Sequence, residues 1–424
     1  MIQEETIKKL SKNYFSKILA VRNHLHQNPE LSFVEFETSK FIQQQLKEAG
    51  IEFTSGHVKT GIIALIKGKN PAKKTILLRA DMDALPIEEK NNVAYKSCKP
   101  GIMHACGHDV HSACVLGAAF ILNDLKNEWE GTVKIMFQPG EEVLPGGANL
   151  MIKEGVLKNP KVDKAIAHHV FPSMESGKAG FKSGMYMAST DELYLTVNGK
   201  GGHAAMVNEY VNPLIIAAEI LLEIDLKFMK PKMSDAFGNL LNDTEEQVEY
   251  NPQFSPRSIP TVIAFGKIEG KGATNIIPDK VEIAGTFRTM DEKWRDMVHY
   301  RLTNIVEKIS EKYKIKSELR IEKGYPFLVN DKNFTTSCFN SAKNYLGNEN
   351  VEELPLRMTA EDFAFITQKV PSCFFRLGTA NKEKGIISGV HTPTFNIDEK
   401  ALETGMGLLA NLIISEMKLA KDNF

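Results

Sequence analysis

Cysteine is scarce: five residues in 424, odd in number and scattered, which argues against a disulfide framework and points to a reducing, cytoplasmic setting. No window approaches the roughly 18 uncharged apolar residues that a membrane-spanning helix needs. The opening stretch, MIQEETIKKLSKNYFSK, is polar and mixed in charge, without the apolar core and small-residue cleavage site of a signal peptide. Neither sign of charge is in surplus, with 52 Lys plus Arg against 53 Asp plus Glu. That balance gives no global attraction for nucleic acid or an anionic membrane, so neither is expected as a partner and recognition must be local. Repeats and low-complexity tracts are lacking too.

What is present is an ordinary globular composition, 42% hydrophobic and 25% charged, able to bury a sizeable core. The length exceeds that of one typical compact domain, so two are expected. Helical spacing runs through Ile7, Leu10, Tyr14 and Ile18, and again from Phe36 to Ala49, with Gly50 as a stop. Ile62 to Ile66 and Thr75 to Arg79 read as buried strands, the second running into Asp81-Met-Asp83. Asp109 to Leu125 reads as a helix, Thr132 to Phe137 as a strand, and Ala165 to Ala167 as a strand ending at His168-His169. Strands alternating with helices imply an α/β fold with a largely parallel sheet, helices on both faces and ligands outside the carboxyl ends of the strands.

The character changes near Met187. Glu192 to Val197, Val211 to Met229, Ile259 to Ile268, Val281 to Arg288, Asp291 to Tyr313 and Lys316 to Ile321 follow one another as β-α-β-β-α-β, the ferredoxin-like order. The chain returns to α/β character through Phe334 to Tyr345, Ser372 to Leu377 and Ala401 to Leu419. A smaller domain, 187–325, is therefore expected as an insertion into a larger one formed by 1–186 and 326–424. The polar, Asn-, Pro- and Ser-rich segment Lys230 to Arg257 reads as a surface loop insertion.

The strongest chemical cluster is Met103-His-Ala-Cys106-Gly-His108-Asp-Val-His111. Thiolate and imidazole suit borderline transition metals, and Cys-x-His at a helix start lets both face one ion. Alone, such a pair is more often a buried cysteine beside surface histidines. It has company. Gln138-Pro-Gly-Glu141-Glu142 exposes two adjacent carboxylates after a strand, and metal-assisted hydrolysis needs one to hold the ion and one to take a proton from water. Asp81 and Asp83 sit at another strand end, where one could buttress a ligand histidine. His168-His169 follows a third strand, and Gly389-Val-His391-Thr-Pro lies far downstream. Cysteine, three histidines and glutamate suffice for two ions sharing a bridging group. In the insertion, Gly199-Lys-Gly201-Gly202-His203-Ala-Ala lacks any Walker or dinucleotide pattern, so nucleotide binding is rejected and His203 is read as reaching a developing oxyanion. Asn275 and Arg288 are the insertion's best carboxylate-binding candidates.

These residues resemble the M20 metallopeptidase family, in particular its amidohydrolase branch of aminoacylases, hippurate hydrolases and auxin-conjugate hydrolases. The resemblance runs through Leu25-His26-Gln-Asn-Pro29-Glu30-Leu31, Arg79-Ala-Asp81-Met-Asp83-Ala-Leu-Pro86, His104-Ala-Cys106-Gly107-His108-Asp109, Gln138 to Glu142 and His169-Val-Phe-Pro172. It continues through Gly199 to Ala205, Asn275-Ile-Ile-Pro278, Met358-Thr-Ala-Glu361-Asp362-Phe363 and His391 to Glu399. It implies a zinc-peptidase-like catalytic domain with a two-metal site (Zn, Mn, Co or Ni) and an inserted lid that mediates a homodimer. Carried over by position, it implies Cys106, His108, Glu142, His169 and His391 as metal ligands, Glu141 as general base, Asp83 as the clamp aspartate and His203 as oxyanion stabiliser. His169 is taken over His168 because the family's Val-x-Pro follows it. Val207 in place of the usual proline, Thr359-Ala360 in place of Gly-Ser, and the 230–257 insertion depart from the pattern and bear on substrate preference and lid contacts.

The expected activity is hydrolysis of small N-acyl amino acids, with a dipeptidase or carboxypeptidase as the alternative. A non-catalytic binding protein would be expected to lack the Glu pair or a ligand, and none is missing. A redox enzyme would need a cofactor motif, and none is found.

Overall fold

The computed structural model describes residues 4–229 and 259–417, so the predicted 230–257 insertion lies outside the described residues. The described part divides into two compact units: one within Met1–Tyr186, Val329–Leu356 and Glu361–Phe424, the other within Met187–Leu328 and Arg357–Ala360.

The larger unit opens with helices α1 (Glu4–Gln27) and α2 (Phe36–Glu48), then strands β1 (Glu52–His57), β2 (Gly61–Lys67) and β3 (Thr75–Asp81). Helix α3 (His108–Asp124) follows, then β4 (Thr132–Gln138), β5 (Lys164–Glu175) and β6 (Ala179–Phe181). These strands join Ser372–Ala380 and Val351–Glu353 in one eight-stranded sheet, ordered β1, β2, β4, β3, β5, Ser372–Ala380, β6, Val351–Glu353. Its centre, from β4 through β3 and β5 to Ser372–Ala380, is parallel, whereas β1 and β2 pair antiparallel and β6 lies antiparallel to Ser372–Ala380 but parallel to Val351–Glu353. The fold is thus mixed α/β with a largely parallel sheet. β3 and β4 are buried at every position, as strands of a sheet covered on both faces should be.

One expectation needs correcting. The strand read as ending at His168-His169 continues to Glu175, because it pairs residue by residue with Ser372–Ala380 past both histidines. A strand alternates its side chains between faces, so the two histidines cannot serve one ion together.

Helix α3 is buried along its whole length to Leu122 and carries the larger core with α1 and the C-terminal helix Lys400–Glu416. Gly117 and Gly405 permit this close packing, since a Cβ on either would come within 2.8 Å of Met406 or 2.6 Å of Cys114 respectively.

The smaller unit has a four-stranded antiparallel sheet ordered Thr261–Glu269, Lys280–Thr289, Asp191–Asn198, Lys316–Lys323. With helices Pro213–Ile224 and Glu292–Tyr313 this is the ferredoxin-like arrangement. Asp191–Asn198 alternates buried and outward residues, and the apolar set meets Ile216, Ile220, Trp294, Val298 and Leu302 in a separate core.

Candidate metal centre

The site of the larger unit gathers where β3, β4 and β5 meet the start of α3. Gly107 makes that start possible. Its φ is 81°, and a Cβ there would lie 2.6 Å from a Val170 methyl on β5, so only glycine lets Cys106 and His108 approach the strand. His108 opens the helix, and its Nδ1 lies 3.2 Å from Asp83 Oδ1. With the Nδ1–H given to that carboxylate, the neutral form of the ring presents its lone pair at Nε2. Nε2 is buried with no hydrogen-bond partner among the described residues, 3.9 Å from Glu142 Oε1. Asp83 also accepts the Ser32 hydroxyl at 2.7 Å and the Glu142 amide at 3.0 Å.

His169 donates Nδ1–H to its neighbour's carbonyl, Val170 O, at 2.8 Å, which turns Nε2 toward Cys106 Sγ at 3.4 Å. His168 stacks on Phe375 and has no hydrogen bond at either ring nitrogen among the described residues. Alternation along β5 is therefore the physical reason to separate the two. The remote His391 arrives with φ of 60°, anchored by its amide to Ala105 O at 2.7 Å, and its Nε2 lies 3.3 Å from Glu142 Oε1.

Among the described residues, five groups of donor atoms lie within 4.8 Å of one another, and two of them share Cys106: Cys106 with His108 and His169, and Cys106 with Glu142 and His391. The thiol belongs to both. A buried, unpartnered imidazole nitrogen facing a thiol and a carboxylate is the donor set a borderline divalent ion takes, so these residues fit such ions. The other three join His108 to both glutamates, Asp81 to His108 and His111, and Glu141 to Glu361 and Asp362.

Electrostatics follow from the crowding. Burial holds the His169 ring well below the usual histidine range, helped by the Arg376 charge, and so in its neutral, ligand-competent form. Burial opposes charge on His108 as well, but Asp81 and Cys106 outweigh it and push that ring well upward. Burial raises the Cys106 thiol, with Glu142 adding to it. Hydrogen bonding to Cys106 and then Glu142 pushes His391 up to about 10. Glu141 is buried, and burial followed by the charges of Glu361, Glu142 and Asp362 drives its carboxyl well above the usual range.

The sequence alone gave no role to Arg79, nor to the link that runs from Asp81 through His111. Arg79, fully buried, donates to Gln138 Oε1 at 2.9 Å, Asp81 Oδ2 at 2.5 Å, Glu361 Oε1 at 3.0 Å and Asp362 Oδ1 at 2.8 Å. Asp81 binds His111 Nδ1 at 2.6 Å, and His111 Nε2 accepts the Val170 amide at 2.9 Å. That chain leads to the carbonyl that orients His169. The available signal was an arginine inside an otherwise apolar strand, Thr75-Ile-Leu-Leu-Arg79.

The candidates of the smaller unit sit apart in sequence but share structure. His203 pairs with Ile276 on a two-stranded ribbon, the Ala204 amide donates to Asn275 O at 3.0 Å, and both His203 and Asn275 are exposed. Arg288 is half-buried on Lys280–Thr289 and donates to Met358 O at 3.2 Å.

Comparison with known proteins agrees with this geometry. The profile of peptidase family M20/M25/M40 matches residues 77–415. The chain is 36% identical over 386 residues to an N-acetyl-L-cysteine deacetylase of Bacillus subtilis, covering 91% of this chain and 85% of the relative. It is 35% identical over 401 residues to thermostable carboxypeptidase 2 of Saccharolobus solfataricus, covering 94% of both. Among solved structures, the Bacillus subtilis YXEP protein, described as a dinuclear metal binding peptidase from the M20 family, superposes with a TM-score of 0.77 at 30% identity, covering 96% of this chain and 99% of that one. The chain belongs to peptidase family M20/M25/M40, and its class is that of a metal-dependent amidohydrolase.

Proposed function

We propose that the protein hydrolyses the amide bond of N-acyl amino acids, releasing a carboxylic acid and a free amino acid, with two divalent ions per subunit. The observation that carries this reading is the pair of donor groups sharing Cys106, with buried Glu141 beside them. Cys106, His108, Glu142, His169 and His391 would hold the ions. When bound, such ions supply Lewis acidity toward the amide carbonyl and make a water acidic near neutral pH.

The chain's own residues do the rest. Glu141 accepts the proton of the attacking water and returns it to the departing amine nitrogen. Asp83 fixes the His108 ring. His203 stabilises the oxyanion, and Asn275 and Arg288 grip the substrate carboxylate, as a bidentate guanidinium suits. The smaller unit serves as a lid and as the contact of a homodimer, consistent with its exposed apolar side chains Ile215, Leu222, Leu226 and Ile268.

The names of the relatives support an acyl-amino-acid substrate on one side and a peptide on the other. A hydrolysis panel decides between them: N-acetyl, N-benzoyl and longer N-acyl amino acids beside matched dipeptides, each with zinc, manganese and cobalt. The acyl amino acids should be cleaved faster. Cleavage confined to the dipeptides would move the enzyme to the dipeptidase or carboxypeptidase reading.

A further inference from the structure

The mechanism above leaves unused a fully buried carboxylate, Glu35, and the short segment that carries it. This segment touches both halves of the metal centre. On one side Leu31 bridges to Ala84, the Ala84 amide donates to Glu30 O at 2.8 Å, and the Ser32 hydroxyl donates to Asp83 Oδ2 at 2.7 Å. Asp83 is the carboxylate that carries His108 and accepts the Glu142 amide. On the other side Glu35 Oε1 accepts the amides of Gly140 at 2.9 Å and Phe33 at 2.8 Å, and Oε2 accepts the Thr60 hydroxyl at 2.7 Å.

Gly140 is the turn residue directly before Glu141-Glu142, with φ of 59°. The Phe33 ring fills the space a side chain there would need. Phe33 itself has φ of 65°, a left-handed conformation that is costly for a bulky residue and must be held by its surroundings. The Glu35 carboxylate, bonded to the Phe33 amide, is one of those holds.

We propose that Glu35 is a positioning residue: through the Gly140 amide, and together with Ser32 through Asp83, it fixes the Glu141-Glu142 turn against His108. It acts on the base and the ligands, not on substrate, and the inference rests on the assignment of those roles above. Burial, with the nearby charge of Asp83, pushes the Glu35 carboxyl up to about 7, so a neutral side chain of the same shape is a close substitute. Glutamine can accept both amides through Oε1 and donate through Nε2 to the Thr60 hydroxyl, which then acts as acceptor. Alanine can do neither.

The test compares Glu35→Ala, Glu35→Gln, Thr60→Val and Glu141→Gln in the full chain. The readouts are kcat and KM on the cleaved N-acyl amino acid and the Mn2+ dissociation constant by calorimetry. Glu35→Ala should lower kcat and Mn2+ affinity by about 10- to 100-fold each, the range for groups that orient ligands, with KM nearly unchanged. Glu35→Gln should restore both to within about threefold of wild type, because the bonds and not the charge carry the role. If Glu35→Ala does not fold, Thr60→Val, which removes one partner only, should still lower kcat more than it moves KM. Folded Glu35→Ala with wild-type kcat and Mn2+ affinity would overturn the role, as would Glu35→Gln no better than alanine, or an unaltered Thr60→Val. Glu141→Gln separates the two levels. Retained turnover there overturns the assignment of the base, whereas an inactive Glu141→Gln beside a fully active Glu35→Ala overturns only the role of Glu35.

Discussion

The proposed mechanism gives Cys106 and Glu141 different tasks, and substitution should separate them. Cys106 is shared by two donor groups, so replacing its thiol with a poorer donor in Cys106→Ser should strip bound metal, measured by elemental analysis of the purified protein. Unchanged occupancy would contradict its role as a ligand. Glu141→Gln keeps the shape but removes the proposed proton acceptor. Metal content should stay near wild type while kcat falls by about 100- to 10,000-fold, the usual contribution of a general base. Short motifs made Cys106, His108, Glu141 and Glu142 easy to single out, and the structure brings these side chains together. In the sequence His169 is separated from His168 only by the Val-x-Pro that the family resemblance expects after it, because the alternation that distinguishes them belongs to a strand whose partner lies about 200 residues downstream. Arg79 and Glu35 were missed for a related reason: each answers to groups distant in the chain, Glu361 and Asp362 for one and Gly140 for the other.

Among the elements, the turn after β4 does the most. Gly140 combines a positive φ with a Phe33 ring where its Cβ would go. Gly140→Ala should therefore cost about 1–3 kcal/mol, as overpacking and a strained backbone do, and should lower kcat as well by shifting Glu141. A denaturant midpoint and kcat equal to wild type would show that the turn adapts. The helices and strands were largely legible, since apolar periodicity marks them directly: β3, β4 and α3 appear within a residue or two of their expected bounds. Tertiary pairing was not legible, and it is pairing with Ser372–Ala380 that carries β5 to Glu175.

Across the chain, the two units rest on separate cores, and the smaller one has its own electrostatic anchor. Buried Asp191 accepts Arg295 Nε at 2.9 Å, lies 2.6 Å from His299 Nε2 and accepts the Gly324 amide at 3.0 Å, tying the first strand of that unit to its long helix. Burial opposes its charge, but the Arg295 and His299 bonds win and hold the carboxyl below the usual range. A depressed native pKa means that the stabilisation is present above the unfolded value of about 3.9 and is lost as pH falls through the native one. Asp191→Asn should thus destabilise the protein at pH 7 and shrink the loss of stability on acidification, read from urea midpoints at neutral and acid pH. An unchanged acid dependence would remove Asp191 from that role.

The central claim, that bound metal and Glu141 together cleave N-acyl amino acids, meets its most direct test in one measurement. Free amino acid released from an N-acyl amino acid panel is followed for chelator-stripped protein, for the same protein reloaded with Zn, Mn or Co, and for reloaded Glu141→Gln. Release should be absent after stripping, return on reloading, and stay absent in the loaded Glu141→Gln variant. Equal release by stripped and reloaded protein, or full activity of Glu141→Gln, would contradict the account.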